Sequence, residues 1–165
     1  MELYLLRHAI AADKSEPGIK RDADRPLTPE GAEKMKDIAK KMKKMDLSFD
    51  LILSSPFRRA TETAEIVADV LDCRDIVELS RHLEVGGNPE KLIDQIKTEK
   101  SDLDSILLVG HEPYLSGLIS MMISGTDDLA VTMKKGGLCK LSTESLRYGK
   151  CATLEWLIGP GQVLI

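Results

Sequence analysis

Aromatic residues are scarce in this 165-residue chain: one Trp, three Tyr and two Phe amount to 4% of it. A core must therefore be filled by Leu, Ile, Val, Met and Ala rather than by rings. Cysteine is equally thin. Cys73, Cys139 and Cys151 are odd in number and form no Cys-x-x-Cys pair, which argues against a disulfide framework and against a thiolate metal site. No apolar run approaches the roughly 20 residues needed to span a bilayer, and the N-terminus lacks the basic, apolar and small-residue succession of a signal peptide, so a soluble, cytoplasmic protein is expected. Excess charge is also missing: 23 Lys and Arg against 27 Asp and Glu leave a net charge of -4, with no global attraction to nucleic acid or anionic lipid. Histidine occurs only at positions 8, 82 and 111.

What is present is an alternation of short apolar runs and amphipathic stretches, at a length that suits one domain over residues 1–165. Residues 2–7 read as a strand, followed by the long aperiodic tract "DKSEPGIKRDADRP". A helix is expected from Pro29 with Thr28 as its N-cap, burying Ala32, Met35, Ala39 and Met42 opposite a lysine-rich face. "DLILSS" is a second strand, and a helix with Pro56 near its first turn buries Ala60, Ala64, Val67 and Leu71. Then come a strand at "DIVEL", a helix capped by Asn88 with Pro89 first, a buried strand at "SILLVG" breaking at Gly110 to Pro113, and a helix at "YLSGLISMMIS". "GGLCKLS" and "CATLEWLI" read as a closing antiparallel pair. The expected class is α/β, a three-layer αβα sandwich on a mainly parallel sheet of about six strands, whose ligands gather beyond the carboxyl ends of the strands.

Three of those strands end alike: "LYLLRHA" in Arg7 and His8, "LILSSPFRR" in Arg58 and Arg59, "ILLVGHEP" in His111. Placed side by side, they gather two imidazoles and at least two guanidiniums at one rim, an unfavourable cluster unless an anion sits among them. A phosphoryl group suits it, because guanidinium binds its oxygens in bidentate fashion and a neutral imidazole can attack phosphorus. On this reading His8 is the nucleophile, its other ring nitrogen donating to a backbone carbonyl that sets the tautomer, while Arg7, Arg59 and His111 hold the oxygens; no metal and no cofactor is called for.

"LYLLRHA", "LILSSPFRRATETAEIV" and "ILLVGHEP", in this order over about the first 120 residues, resemble the signature segments of the histidine phosphatase superfamily. "DRPLTPEG" and the short chain resemble its SixA branch, the phosphohistidine phosphatases. The resemblance implies a phosphoglycerate mutase-like fold, a phosphorylated His8, phosphate clamped by Arg7 and Arg59, and a pocket completed by His111. It implies that Arg25 reaches the phosphate from the long loop; the alternative is a loop salt bridge with Asp22 or Asp24. Arg58 is one residue off the motif and reads as either a residue behind the phosphate-contacting ones or a surface charge. Many members carry a Glu-x-x-x-Gly proton donor after the third strand, where "HLEVG" instead puts His82 at that spacing from Gly86, leaving His82, Glu84 or water as the donor.

The implied activity is hydrolysis of phosphate from a protein histidine, with a phosphotransfer domain or carrier as partner. Three other readings compete: a phosphomonoesterase for small phosphate esters, a zinc hydrolase on His8, His82 and His111, and a phosphate-binding module without turnover. The lysine face from Lys34 to Lys44 is either a steering surface for an acidic partner or an ordinary solvated face.

Overall fold

The computed structural model describes residues 1–163. Six strands form one sheet: β1 (Glu2–Arg7), β2 (Leu51–Ser54), β3 (Val77–Leu79), β4 (Ser105–Gly110), β5 (Leu138–Ser142) and β6 (Thr153–Ile158), in the spatial order β3-β2-β4-β1-β5-β6. β1, β2, β3 and β4 are mutually parallel, and β5 lies antiparallel to both β1 and β6. The helices are α1 (Pro29–Lys44), α2 (Arg58–Leu71), α3 (Pro89–Glu99), α4 (Tyr114–Ser124) and α5 (Pro160–Val163). The three-layer architecture and mainly parallel sheet expected from the alternating pattern are therefore present.

Successive strand residues face opposite sides of a sheet, so each buried strand feeds two cores. Leu3, Leu5, Leu51, Leu53, Ile106 and Leu108 pack with α3 and α4, whereas Tyr4, Leu6, Ile52, Leu107 and Val109 pack with α1 and α2. Leu51–Leu53 of β2 and Ile106–Val109 of β4 are all aliphatic and buried, so both faces exclude water there; this is why these segments read as continuous apolar runs.

The element boundaries show what local sequence leaves open. Thr28 Oγ1 accepts the Gly31 N–H at 2.9 Å and Asn88 Oδ1 the Lys91 N–H at 2.9 Å, so both helix starts lie where the capping residues put them. By contrast α2 begins two residues after Pro56, with Phe57 at its N-cap, because Ser55 still follows the sheet and its N–H bonds the Val109 carbonyl. β3 is shorter than "DIVEL", since Arg74–Ile76 turn as a 3-10 helix. β5 starts at Leu138 rather than Gly136, because Gly136 has φ +76° and makes the turn into the strand. In α1, Met35, Ile38, Ala39 and Met42 are buried, and four lysines on the other face pair with Glu30, Glu33, Asp37 and Asp72. The lysine face is thus largely neutralised locally. Gly31 approaches the chain after β1 so closely that a Cβ there would lie 2.1 Å from the Ile10 carbonyl oxygen; this contact fixes α1 against residues 8–12.

Candidate active site

β1 and β4 are hydrogen-bonded neighbours with Arg7 opposite Gly110, so the next residue of each, His8 and His111, leaves the sheet at the same edge. Their ring centroids are 5.1 Å apart. The chain runs from β1 over one face to β2 and β3, and returns to β4 and β5 over the other, which makes the gap beyond β1 and β4 the switch point where α/β sheets bind ligands. From the far side of β4, the first turn of α2 aims Arg59 back into the gap, where its side chain is 4% exposed.

The hydrogen bonds of His8 leave one tautomer. Nδ1 lies 2.7 Å from the Ala9 carbonyl, which can only accept, so the proton is on Nδ1. Nε2 lies 3.2 Å from Arg59 Nε, which can only donate, so the Nε2 lone pair faces the pocket. Thr63, one turn along α2 from Arg59, secures this arrangement: its hydroxyl accepts the Ala9 N–H at 3.1 Å and donates to the Arg59 carbonyl at 2.7 Å. His111 is oriented by Ser55, whose Oγ is 2.8 Å from Nε2 and accepts the Phe57 N–H at 3.3 Å. His111 Nδ1 is buried without a partner. Arg7 donates from Nη1 to the Met133 carbonyl at 2.8 Å, and its Nε is likewise buried and unpartnered. Only one other buried side-chain polar atom among the described residues, the Tyr114 hydroxyl, lacks a partner. An unmade buried hydrogen bond costs about 1–3 kcal/mol, so the two orphan nitrogens, one of them a guanidinium donor, mark a place for a polar group such as an oxyanion.

Burial is the main force on the two rings. It pushes His8 down to about 4, helped by the charges of Arg59, Arg7 and Lys135, and His111 down to about 3, helped by Arg59. Both imidazoles are neutral at pH 7. Because the folded values lie below the unfolded value of about 6.5, the stability they contribute is complete above pH 6.5 and is lost as the pH falls toward 4, each proton adding a slope of up to about 1.4 kcal/mol per pH unit. The urea midpoint should fall between pH 7 and pH 5, and His111→Asn should reduce that fall.

The remaining candidates are placed as follows. Arg25 Nη1 meets Asp22 Oδ1 at 3.0 Å and its Nε donates to the Ala12 carbonyl at 2.7 Å, so Arg25 makes the loop salt bridge. The same Asp22 receives Arg59 at Oδ2 (3.0 Å) and at its carbonyl (2.8 Å), which ties Arg25 to the pocket through a shared carboxylate. Burial opposes ionisation of Asp22, but its hydrogen bonds to Arg25 and Arg59 prevail and hold the carboxyl below its usual value. Arg58 is exposed and pairs with Glu62 at 2.7 Å. His82 lies in the 3-10 turn Arg81–Leu83; its N–H bonds Ser80 Oγ, and its ring makes no hydrogen bond among the described residues. Glu84 makes no side-chain hydrogen bond either, and Glu112 Oε1 is taken by the Ser116 N–H at 3.0 Å. No group of three or more His, Cys, Asp or Glu positioned to hold a metal ion occurs among the described residues, and no described helix is long and apolar enough to cross a membrane.

Sequence reasoning missed the roles of Asp22, Ser55, Thr63 and the Met133 carbonyl. Thr63 carries a signal, being four residues from Arg59 and hence on the same helix face. Asp22 and Met133 carry none, since 37 and 126 residues separate them from the arginines they hold.

The chain as a whole is similar to known proteins. A family model described as histidine phosphatase superfamily (branch 1) matches residues 3–90. An uncharacterized protein of Picosynechococcus sp. is 33% identical over 154 residues, 89% of this chain and 88% of that protein. Phosphohistidine phosphatase SixA of Escherichia coli (strain K12) is 26% identical over 161 residues, 97% of this chain and 94% of its own. A solved structure of the protein histidine phosphatase SixA complexed with tungstate superposes with a TM-score of 0.85 at 22% identity, covering 99% of each chain, which shows the shared fold. A matching family model over more than half the chain, on a fold that brings Arg7, His8, Arg59 and His111 to one rim, places this protein in the histidine phosphatase superfamily, branch 1.

Proposed function

We propose that this protein is a metal-independent phosphohistidine phosphatase that works through a covalent phosphohistidine on His8. The observation that carries the reading is the His8 ring: a buried, neutral imidazole with its proton fixed on Nδ1 by Ala9 and its Nε2 lone pair in a cationic pocket. Such a nitrogen attacks phosphorus without first losing a proton. The charge that spreads over the equatorial phosphoryl oxygens meets the fork of Arg59 and the two orphan nitrogens, Arg7 Nε and His111 Nδ1, which are already oriented before substrate arrives. The Nε2–P bond forms as the P–N bond of the ring-protonated substrate breaks, its electron pair staying with an imidazole that leaves neutral. Water then attacks the phosphorus, passing a proton to a phosphate oxygen, and the electrons of the Nε2–P bond return to His8.

The substrate class follows from the proton inventory. Expelling an alkoxide needs a general acid, worth roughly 10²- to 10⁴-fold. Among the described residues the one carboxylate bonded to Arg59, Asp22, is held ionised by two arginines and has no proton to give near neutral pH. An imidazole leaving group, of pKa about 6.5, needs far less help, and His82 or solvent suffices. The relationship to SixA of Escherichia coli supports the same assignment. The charges of Arg7, Arg59 and Lys135, which already disfavour a protonated His8, equally disfavour a dication at that ring.

Phosphate release should be at least tenfold faster, in kcat/KM, from a phosphohistidine-bearing phosphotransfer domain than from a phosphoserine peptide, and unchanged by a strong chelator. A preference for simple phosphate esters would assign the pocket to a small-molecule phosphomonoesterase instead, and loss of activity with chelator would overturn metal independence.

A further inference from the structure

A cluster of cations beyond the strand ends is unfavourable without an anion, and the chain supplies one of its own. All three nitrogens of the Arg59 guanidinium are engaged: Nε donates to His8 Nε2 at 3.2 Å, Nη1 to the Asp22 carbonyl at 2.8 Å and Nη2 to Asp22 Oδ2 at 3.0 Å. Either bidentate grip of a guanidinium, through Nη1 and Nη2 or through Nε and Nη2, runs through the nitrogen that Asp22 Oδ2 holds. A second anion gripped there meets this carboxylate as a like charge.

The loop that carries Asp22 is pinned at its neck. The Ala12 N–H bonds the Pro26 carbonyl at 2.8 Å, Ala11 bridges to Leu27, and Arg25 Nε reaches the Ala12 carbonyl at 2.7 Å. None of residues 13–24 is buried, and among the described residues every hydrogen bond that joins them to the protein beyond this neck comes from Arg59. Asp22 can therefore leave Arg59 without unpacking a core. We propose that Asp22 is a resident competitor at the phosphoryl site: in the empty pocket it stands on Arg59 in place of the substrate anion, and an incoming phosphoryl group displaces it. This rests on the reading of the pocket as a phosphoryl site. Exchanging one anion for another keeps the cluster neutralised at each stage and keeps Arg59 aimed at His8 between turnovers. It also lowers affinity, because each phosphoryl group has to outcompete a carboxylate tethered beside it.

The test is binding of inorganic phosphate to the intact protein, by calorimetry, in wild type, Asp22→Asn and Asp24→Asn. Asp24 lies in the same 3-10 turn and carries the same charge, but it pairs with the exposed Arg21 and not with Arg59. Asp22→Asn is expected to lower the phosphate Kd about fivefold, the scale of one partly exposed charge pair, whereas Asp24→Asn stays within twofold of wild type. A carboxylate that only oriented Arg59 for the substrate would give the opposite sign, weaker binding on its removal. Without phosphate the urea midpoint of Asp22→Asn should fall below that of wild type, and saturating phosphate should close the gap, since the contact is absent from the bound state. The proposal is overturned if Asp22→Asn binds phosphate within twofold of wild type or more weakly, if Asp24→Asn gains as much, or if the gap persists under saturating phosphate. Absence of phosphate binding in both wild type and Asp22→Asn is a different result: it removes the phosphoryl pocket itself, and the competitor with it.

Discussion

His8→Asn should lower phosphate release by on the order of 10³-fold or more and abolish the phosphoenzyme that wild type yields on rapid denaturation at alkaline pH. The substitution is close to isosteric in the space beside Ala9, so the fold should persist and the loss should report on chemistry. Asn retains a polar group toward Arg59, and Arg7, Arg59 and His111 remain to bind the phosphoryl group. What disappears is the Nε2 lone pair. Phosphate binding should therefore survive in the variant while turnover does not. Hydrolysis that continued at near wild-type rate would show that water attacks the substrate directly, and the two-step cycle would fall.

Arg59→Ala carries the second largest expected effect, about 10²- to 10³-fold in kcat/KM, the range found when one preorganised donor to a developing oxyanion is removed. Three consequences converge on this residue. The pocket loses a guanidinium fork, His8 Nε2 loses the donor that fixes its lone pair in the pocket, and Asp22 loses the partner that joins the long loop to α2. Arg59→Lys separates charge from geometry: it restores a cation but not the fork, so it should recover only part of the loss. Arg25→Ala should cost far less, because Arg25 touches Asp22 and the Ala12 carbonyl rather than His8. If Arg25→Ala and Arg59→Ala fell equally, the loop and not the guanidinium of Arg59 would be the decisive element, and Arg25 would have to reach the phosphoryl group after the loop rearranges.

The candidate site was legible in sequence as three strand endings because its residues are anchored locally. Arg7 and His8 follow β1 directly, His111 follows β4, and Arg59 lies in the first turn of a helix whose start the Ser-Ser-Pro segment announces. What was not legible is who holds them. Arg25 read equally well as a phosphate ligand and as a salt-bridge partner, since local sequence supplies both Asp22 and a nearby Pro-Leu-Thr turn but not the position of Arg59 across the loop. The lysine face of α1 read as a possible steering surface, yet i to i+3 and i to i+4 carboxylates neutralise much of it.

By itself the sequence determined the order and kind of elements, the two apolar faces and the chemical identity of the pocket, because each depends on side-chain periodicity, capping residues or a motif within a few positions. The tertiary structure alone decided that β4 lies beside β1, that a carboxylate from the long loop joins two arginines, and that the loop before β5 is fastened by its backbone to Arg7 and His8. Those contacts join residues far apart in the chain, and their energies depend on burial and distance, which exist only once the sheet has closed.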